Sequence, residues 1–128
     1  MEFASCSASS TRVGVDLVEI SRIARACDRW GDRFLARVYT PTEQADSRGR
    51  PAALAARFAA KEAAAKALGV GIGPVSWHSI EVLVGARGRP LLRLLGPAAD
   101  LASRLGIRQA DVSLSDTSEY ALAVVILT

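Results

Sequence analysis

The residues best suited to chemistry are three charged side chains in one alanine-rich stretch, Lys61, Glu62 and Lys66. On a helical wheel advancing about 100° per residue, Lys61 lies inside the apolar stripe defined by Leu54 and Phe58, and Glu62 lies at its edge. On an ordinary surface helix, a Glu62–Lys66 pair would contribute about 0.3–0.5 kcal/mol, and Lys61 would extend its ammonium to solvent. Alternatively, these groups face a cleft and bind a metal ion and phosphate. The helix alone favours the ordinary structural interpretation.

The sequence around these side chains predicts one long helix. Residues 57–68 are rich in Ala, Leu, Lys and Glu and contain no β-branched residue. Pro51 suits the first helical turn, where its missing N–H is not needed, and Gly69 is placed to end the helix. We therefore expect this helix to be the centre of the fold.

Asp16 is a second candidate acid. It belongs to residues 13–18, which predict a short buried strand that presents a carboxylate. An Asp at such a position can form a turn or cap a helix, and it can equally present a metal ligand at a sheet edge. Both interpretations stay open from the local sequence.

Residues 20–34 have a helical pattern with one apolar face and one basic face. A break at Trp30-Gly31 would change which face the residues after Gly31 occupy. Four arginines with few acids among them exceed what a solvated face requires, and arginine binds carboxylates and phosphates in a forked geometry. This stripe predicts a docking surface for an acidic partner, and its members are Arg22, Arg25, Arg29 and Arg33.

Composition limits the class of protein. The 128 residues predict one domain over 12–128, with 1–11 as a disordered leader or a cloning remnant. No apolar run approaches the roughly 18–20 residues of a membrane span, so we expect a soluble cytoplasmic protein with no membrane partner. Cys6 and Cys27 are too few for a metal or disulfide framework, and the single histidine, His78, argues against a Ser-His-Asp triad. The net charge of +3 suggests an acidic partner.

The remaining pattern predicts an α+β fold with a mainly antiparallel sheet packed with the long central helix. A helix should start near Pro41, and the glycine-rich residues 69–74 lack the Gly-Lys-Ser/Thr of a phosphate-binding P-loop. Alternation in 77–84 predicts a strand with one solvent-exposed face that includes Glu81. The other expected elements are a strand at 90–95, a helix at 97–105, and strands at 111–115 and 120–127.

Three short motifs occur in order along the chain. They are GVD at 14–16, RFAAKEA at 57–63 followed by KALG at 66–69, and VSLS at 112–115. Together with their spacing, they resemble the holo-acyl-carrier-protein synthase family, the small phosphopantetheinyl transferases. The resemblance covers nearly all of residues 13–127.

This resemblance implies transfer of the 4′-phosphopantetheine arm of coenzyme A to a serine of an acyl carrier protein, with release of 3′,5′-ADP. It implies that Asp16 and Glu62 share a Mg²⁺ on the pyrophosphate, and that Glu62 or a metal-bound water takes the serine proton. Lys66 would neutralise phosphate charge, and Lys61 would do the same or brace Glu62. The coenzyme A contacts implied in this way are Lys61, Lys66, Gly69, Ser115 and Asp116.

The family also implies partners and assembly. Its carrier proteins are acidic, which suits the arginine stripe, and its members are typically homotrimers with active sites between protomers. A nucleic acid is the competing partner, as for a basic non-enzymatic binding module. Only 5% of the residues are aromatic and no nucleic-acid motif is present, so we do not expect one.

One position departs from the family pattern. The last motif usually continues into His, whereas this chain has Asp116. A carboxylate there should weaken coenzyme A binding unless it points away or meets a cation. The chain could therefore be a divergent member that binds a carrier with weak or no transfer. Whether that carrier serves fatty-acid or polyketide synthesis stays open.

Overall fold

The computed structural model describes residues 11–128. The predicted leader and Cys6 therefore lie outside the described residues, apart from Thr11. No helix in the described part of the chain is long and apolar enough to cross a membrane. In chain order the elements are β1 (Arg12–Glu19), α1 (Ile20–Trp30), α2 (Asp32–Val38), α3 (Pro41–Ser47), α4 (Pro51–Leu68), β2 (Ile80–Val84), β3 (Pro90–Leu94), α5 (Gly96–Arg104), β4 (Ala110–Asp116) and β5 (Tyr120–Leu127).

The fold is α+β, as predicted, but its strands form two antiparallel sheets. One has the order β1-β5-β4, and the other is the β2-β3 hairpin. Residues 77–79 form a turn of 3₁₀-helix, so the strand predicted at 77–84 begins only at Ile80. Glu81 was predicted on a solvent-exposed face and is instead buried, because α3 and α4 cover this strand.

The central helix α4 is buried almost all round. It begins with Pro51 and ends at Gly69, as predicted, and the φ of 84° at Gly69 is in the left-handed region. The predicted one-sided stripe is wrong, since 13 of the 18 residues are buried. Alanine makes this possible because its small side chain lets β1, β5 and β2 all pack closely against the helix.

Gly14 is the point of closest approach between β1 and α4. A Cβ atom built on this glycine would lie 1.9 Å from the carbonyl oxygen of Ala63 and 2.9 Å from the backbone N of Ala67. No side chain fits in that space, so only glycine lets the strand lie directly on the helix. The next inward-facing position on the strand is Asp16, which pairs in register with Ala123 of β5.

The helix predicted over residues 20–34 is broken at Gly31. This glycine has a φ of 53°, and its N–H donates to the carbonyl of Cys27 to close α1. Arg33 therefore lies on α2, and the predicted four-residue stripe is not continuous on one helix. Arg22, Arg25 and Arg29 remain on α1 and are exposed.

A buried ion pair fastens α3 to α4. Lys61 and Glu43 are fully buried, and Lys61 Nζ lies 2.7 Å from Glu43 Oε1. Lys61 also donates to the carbonyls of Trp77 and Ile80, at 2.9 and 2.6 Å. Burial lowers the pKa of Lys61, and the Glu43 carboxylate opposes that shift. A neutral amine has only two N–H groups, so the three acceptors favour the charged ammonium.

The same carboxylate binds α3 to the hairpin. Glu43 accepts from the Thr40 N–H, which completes the capping box of α3, and from the Val82 N–H of β2 at 2.8 Å. The Thr40 hydroxyl donates to Glu81, whose other carboxylate oxygen lies 2.9 Å from Nη2 of Arg93 on β3. Two acids, Glu43 and Glu81, and two cations, Lys61 and Arg93, therefore neutralise one another. They come from α3, α4, β2 and β3.

We predict that Lys61→Met lowers the free energy of unfolding by about 3–5 kcal/mol, because it leaves the buried Glu43 carboxylate uncompensated. Chemical denaturation measures this loss. The matched control is Lys66→Met on the same helix, which removes an exposed ammonium and should cost less than about 1 kcal/mol. Adding Glu43→Gln to Lys61→Met should recover part of the stability. Equal losses from the two lysine variants would contradict the assignment.

We also predict that Gly14→Ala destabilises the fold by at least about 1–3 kcal/mol, because the added methyl overlaps backbone atoms of α4 that cannot rotate away. Thermal unfolding measures the change. Ser103→Ala, at an exposed position of α5, is the control and should leave the melting temperature nearly unchanged. A Gly14→Ala protein as stable as the parent would show that β1 is free to move off the helix.

Candidate functional site

Asp16 and Lys66 meet where β1 crosses α4. Lys66 Nζ lies 3.1 Å from Asp16 Oδ1 and also donates to the carbonyl of Val15 at 3.1 Å. The Asp16 side chain is 16% exposed and that of Lys66 is 54% exposed. The pair therefore lies at the protein surface and is open to a ligand.

Glu62 completes the charged group that we call the charge cluster, which consists of Asp16, Glu62 and Lys66. Burial raises the pKa of the half-buried Glu62, and the neighbouring Asp16 carboxylate raises it further. Lys66 and Arg22 act in the opposite direction. The two acids are therefore close enough to repel each other, and a cation between them would relieve that repulsion.

The donor set of the charge cluster suits one kind of metal ion. Within residues 11–128, no group of three or more His, Cys, Asp or Glu side chains is arranged to hold a metal. A metal ion bound by two carboxylates and no further protein ligand has most of its coordination positions free for water or substrate oxygens. Mg²⁺ favours that arrangement, since it is commonly bound by one or two carboxylates plus phosphates and retains several waters.

Lys61 does not belong to the charge cluster. Its ammonium is fully enclosed and uses its donors on Glu43 and two backbone carbonyls. It cannot reach a bound phosphate or brace the neighbouring Glu62. The prediction that Lys61 contacts coenzyme A is therefore wrong for this fold, because its position in the apolar stripe reflects true burial.

The three other predicted contacts are exposed. Gly69 caps the end of α4 one turn beyond Lys66, and its N–H donates to the Lys66 carbonyl at 3.0 Å. Ser115 on β4 and Leu17 on β1 both pair with Leu122 of β5, so these side chains share one face of the sheet. Asp16 precedes Leu17 on the strand, and its side chain is therefore on the opposite face. Asp116 shares a face with Asp16 but lies two strands away, roughly 10 Å across the sheet. A single chain thus does not bring Ser115 to the cluster.

Arg22 connects the basic helix α1 to the charge cluster. Its guanidinium lies over the ring of Phe58, 5.8 Å from the centroid. It is also close enough to Glu62 to lower the pKa of that carboxyl. The basic surface of α1 therefore reaches the candidate site, and Arg25 and Arg29 extend it outward along the helix.

Sequence reasoning missed Arg57 as a functional candidate. Its side chain is only 8% exposed, and its Nη1 donates to the carbonyl of Ala53 at 3.1 Å. Its Nε is buried without a hydrogen-bond partner among the described residues. The available signal was a second cation about 60° from Leu54 on the helical wheel, close to the same apolar stripe as Lys61. A buried guanidinium with an unused donor is suited to an anion.

Comparison with known proteins identifies the family. Residues 12–125 match the model of the 4′-phosphopantetheinyl transferase superfamily. The holo-[acyl-carrier-protein] synthase of Herpetosiphon aurantiacus is 51% identical over 120 residues, covering 88% of this chain and 94% of that protein. That of Koribacter versatilis is 50% identical over 118 residues, covering 89% and 94%.

A solved structure agrees with this result. The Helicobacter pylori holo-[acyl-carrier-protein] synthase in complex with coenzyme A superposes with a TM-score of 0.84 at 32% identity, covering 91% of this chain and 99% of that one. Sequence and fold therefore agree over nearly the whole described chain. The chain belongs to the 4′-phosphopantetheinyl transferase superfamily and, within it, to the holo-[acyl-carrier-protein] synthases.

Proposed function

We propose that this protein transfers 4′-phosphopantetheine from coenzyme A to a serine of an acyl carrier protein, in a Mg²⁺-dependent reaction that releases 3′,5′-ADP. The observation that carries the proposal is the charge cluster of Asp16, Glu62 and Lys66 at the β1–α4 crossing. Relatives named holo-[acyl-carrier-protein] synthase and a relative solved with coenzyme A support the substrates.

Asp16 and Glu62 would hold the Mg²⁺. When bound, the ion supplies charge neutralisation on the pyrophosphate. Two close carboxylates, one with a raised pKa, are an arrangement that a divalent cation stabilises. Phosphoryl transfer depends on positioning and on neutralising charge more than on covalent help from the protein, so this simple donor set is sufficient.

Glu62 is the proposed acceptor of the serine proton, directly or through a water that it orients. A half-buried carboxylate beside the proposed metal site can act as a general base in this way. Lys66 is half exposed and would turn from Asp16 towards the transferred phosphate.

Carrier docking is proposed on α1 and α2, through Arg22, Arg25, Arg29 and Arg33. All four are exposed, and Arg22 borders the charge cluster, so a carrier bound here would present its serine near Glu62. The partner is proposed to be acidic because the surface is basic. A protein partner, and not a nucleic acid, fits the family to which the chain belongs.

A homotrimer is proposed as the assembly. The outer face of β1 and β5 exposes Val13, Val15, Leu17 and Ile126, a continuous apolar surface on an edge strand. Ser113 and Ser115 of β4 lie on that same face. A second copy packed there could place its own charge cluster near Ser115, which would join groups that a single chain separates.

We predict that Asp16→Asn and Glu62→Gln each lower kcat by at least roughly a hundredfold, because each removes a carboxylate proposed to hold the cation that neutralises the pyrophosphate. The mass of the carrier, increased by one 4′-phosphopantetheine arm, reports the reaction with Mg²⁺ and coenzyme A present. Asp100→Asn, an exposed acid on α5, is the control. Full activity in both site variants would refute the metal assignment.

Reversing the charge of Arg22 and Arg29 to Glu should raise KM for the carrier far more than KM for coenzyme A, since these side chains are proposed to meet carrier carboxylates. Steady-state kinetics with each substrate varied in turn separates the two constants. The double variant of Arg104→Glu with Arg108→Glu, at two exposed positions outside α1, serves as a control of equal charge change. Equal rises in both constants would count against docking on α1.

Asp116→His tests the departure from the family pattern. If the carboxylate repels the phosphates of coenzyme A, His should tighten coenzyme A binding, which is measured by calorimetry, and raise the rate of transfer. Asp111→His, an exposed acid earlier on β4, controls for the change of net charge. An unaltered affinity would mean that this position tolerates either residue. Undetectable transfer by the parent and strong transfer by the variant would favour the alternative of a carrier-binding member with weak or no activity.

A further inference from the structure

The middle of α4 consists almost entirely of alanine where it is buried. Among the described residues 59–67, every buried side chain except that of Lys61 belongs to an alanine. The larger apolar side chains of α4 lie before residue 59 and at Leu68. The segment that carries Glu62 and Lys66 is therefore smooth, and it presents only methyl groups to the strands β1, β5 and β2 that pack on the helix.

A smooth alanine surface defines the position of a helix poorly. One residue step along an α-helix is a rise of about 1.5 Å with a rotation of about 100°. In α4 such a step would exchange alanine for alanine at most of the buried positions, so the fit of side chains opposes it only weakly. The Gly14 contact does not prevent it either, because a glycine fits against the backbone at any alanine position. The same step would carry Glu62 and Lys66 away from Asp16.

Lys61 makes the directional contacts that this segment otherwise lacks. Its ammonium lies 2.7 Å from the Glu43 carboxylate and donates to the carbonyls of Trp77 and Ile80 at 2.9 and 2.6 Å. These acceptors come from α3, from the 3₁₀ turn at 77–79 and from β2. An ammonium has three N–H groups, so all of its donors are used. A shift of α4 by one residue would break these bonds inside the protein.

Glu43 is itself fixed and cannot follow a moving lysine. Its buried carboxylate accepts from the N–H groups of Thr40 and Val82, at 2.9 and 2.8 Å. The desolvation cost of a buried ion pair often exceeds its attraction, and apolar replacements are frequently as stable. The best-attested use of such buried polar groups is to specify one register, as a single buried asparagine does in a coiled coil.

We propose that the Lys61–Glu43 pair sets the register of α4 and thereby positions the charge cluster. Lys61 directly precedes Glu62 and lies five residues before Lys66. Fixing the lysine therefore fixes the points at which both of these side chains leave the helix. Lys61 and Glu43 are positioning residues, since neither is exposed to a ligand. The inference rests on the proposed function, because it states how the groups of that site are placed.

The experiment compares two destabilised variants at a temperature at which denaturation curves show both to be folded. Lys61→Met with Glu43→Gln removes both charges and keeps a side-chain oxygen at position 43. This double variant should lower kcat for carrier modification by roughly tenfold or more, because small displacements of reacting groups are costly. Leu101→Ala removes packing from α5, which carries no member of the charge cluster, and should leave kcat nearly unchanged.

NMR spectroscopy provides a readout without turnover. In the parent protein, amides 59–67 should give one set of signals, and the α-protons of Gly14 should show a nuclear Overhauser contact with the Ala67 amide, whose nitrogen would lie 2.9 Å from a Cβ atom built on Gly14. In the double variant these signals should broaden or double and the contact should weaken, while the signals of α5 stay sharp. Leu101→Ala should keep the parent pattern on α4.

Glu43→Gln alone is the variant to use where the double variant does not fold, because it keeps Lys61 and both carbonyl acceptors. It should show the same changes to a smaller extent. A folded variant with the kcat of Leu101→Ala and a single set of α4 signals would overturn the register assignment and leave the proposed function standing. A parent protein that does not modify an apo carrier would overturn the proposed function, and the NMR comparison would still decide the register.

Discussion

The fold depends on the contact between β1 and α4 at Gly14. A strand can lie this close to a helix only where neither contributes side-chain volume, and here a glycine faces the backbone of Ala63. The contact brings Asp16, from the start of the chain, to the surface of α4 that carries Glu62 and Lys66. One missing Cβ atom therefore determines whether the charge cluster can form.

The buried charged residues join elements of the fold, whereas the exposed ones form the charge cluster. Lys61, Glu43 and Glu81 are enclosed and almost fully satisfied, and together with Arg93 they join α3, α4 and both strands of the hairpin. Their neighbour Glu62 is only half buried and has no enclosed partner. Adjacent residues on one helix thus have different surroundings: Lys61 forms a buried ion pair, whereas Glu62 lies nearer the surface beside Asp16 and Lys66.

The basic surface continues from the charge cluster to the outer end of α1. Arg22 takes part in both regions, since it lies over Phe58 and near Glu62. Further along, Arg29 and Trp30 form a mixed cationic and aromatic surface. The break at Gly31 ends α1 and begins α2, which carries Arg33.

The sequence alone determined the family, the α+β class, the long helix and its ends, and the candidate residues Asp16, Glu62 and Lys66, because these follow from motifs, local propensity and end-capping chemistry. The helical wheel also placed Lys61 in the apolar stripe. It could not show that Lys61 pairs with Glu43, because the two residues meet only when α3 packs on α4. The tertiary structure alone decided that α4 is buried on nearly every side, that the strands divide into two sheets and that Ser115 faces away from Asp16. These features depend on contacts between segments distant in the chain, which no local pattern of residues encodes.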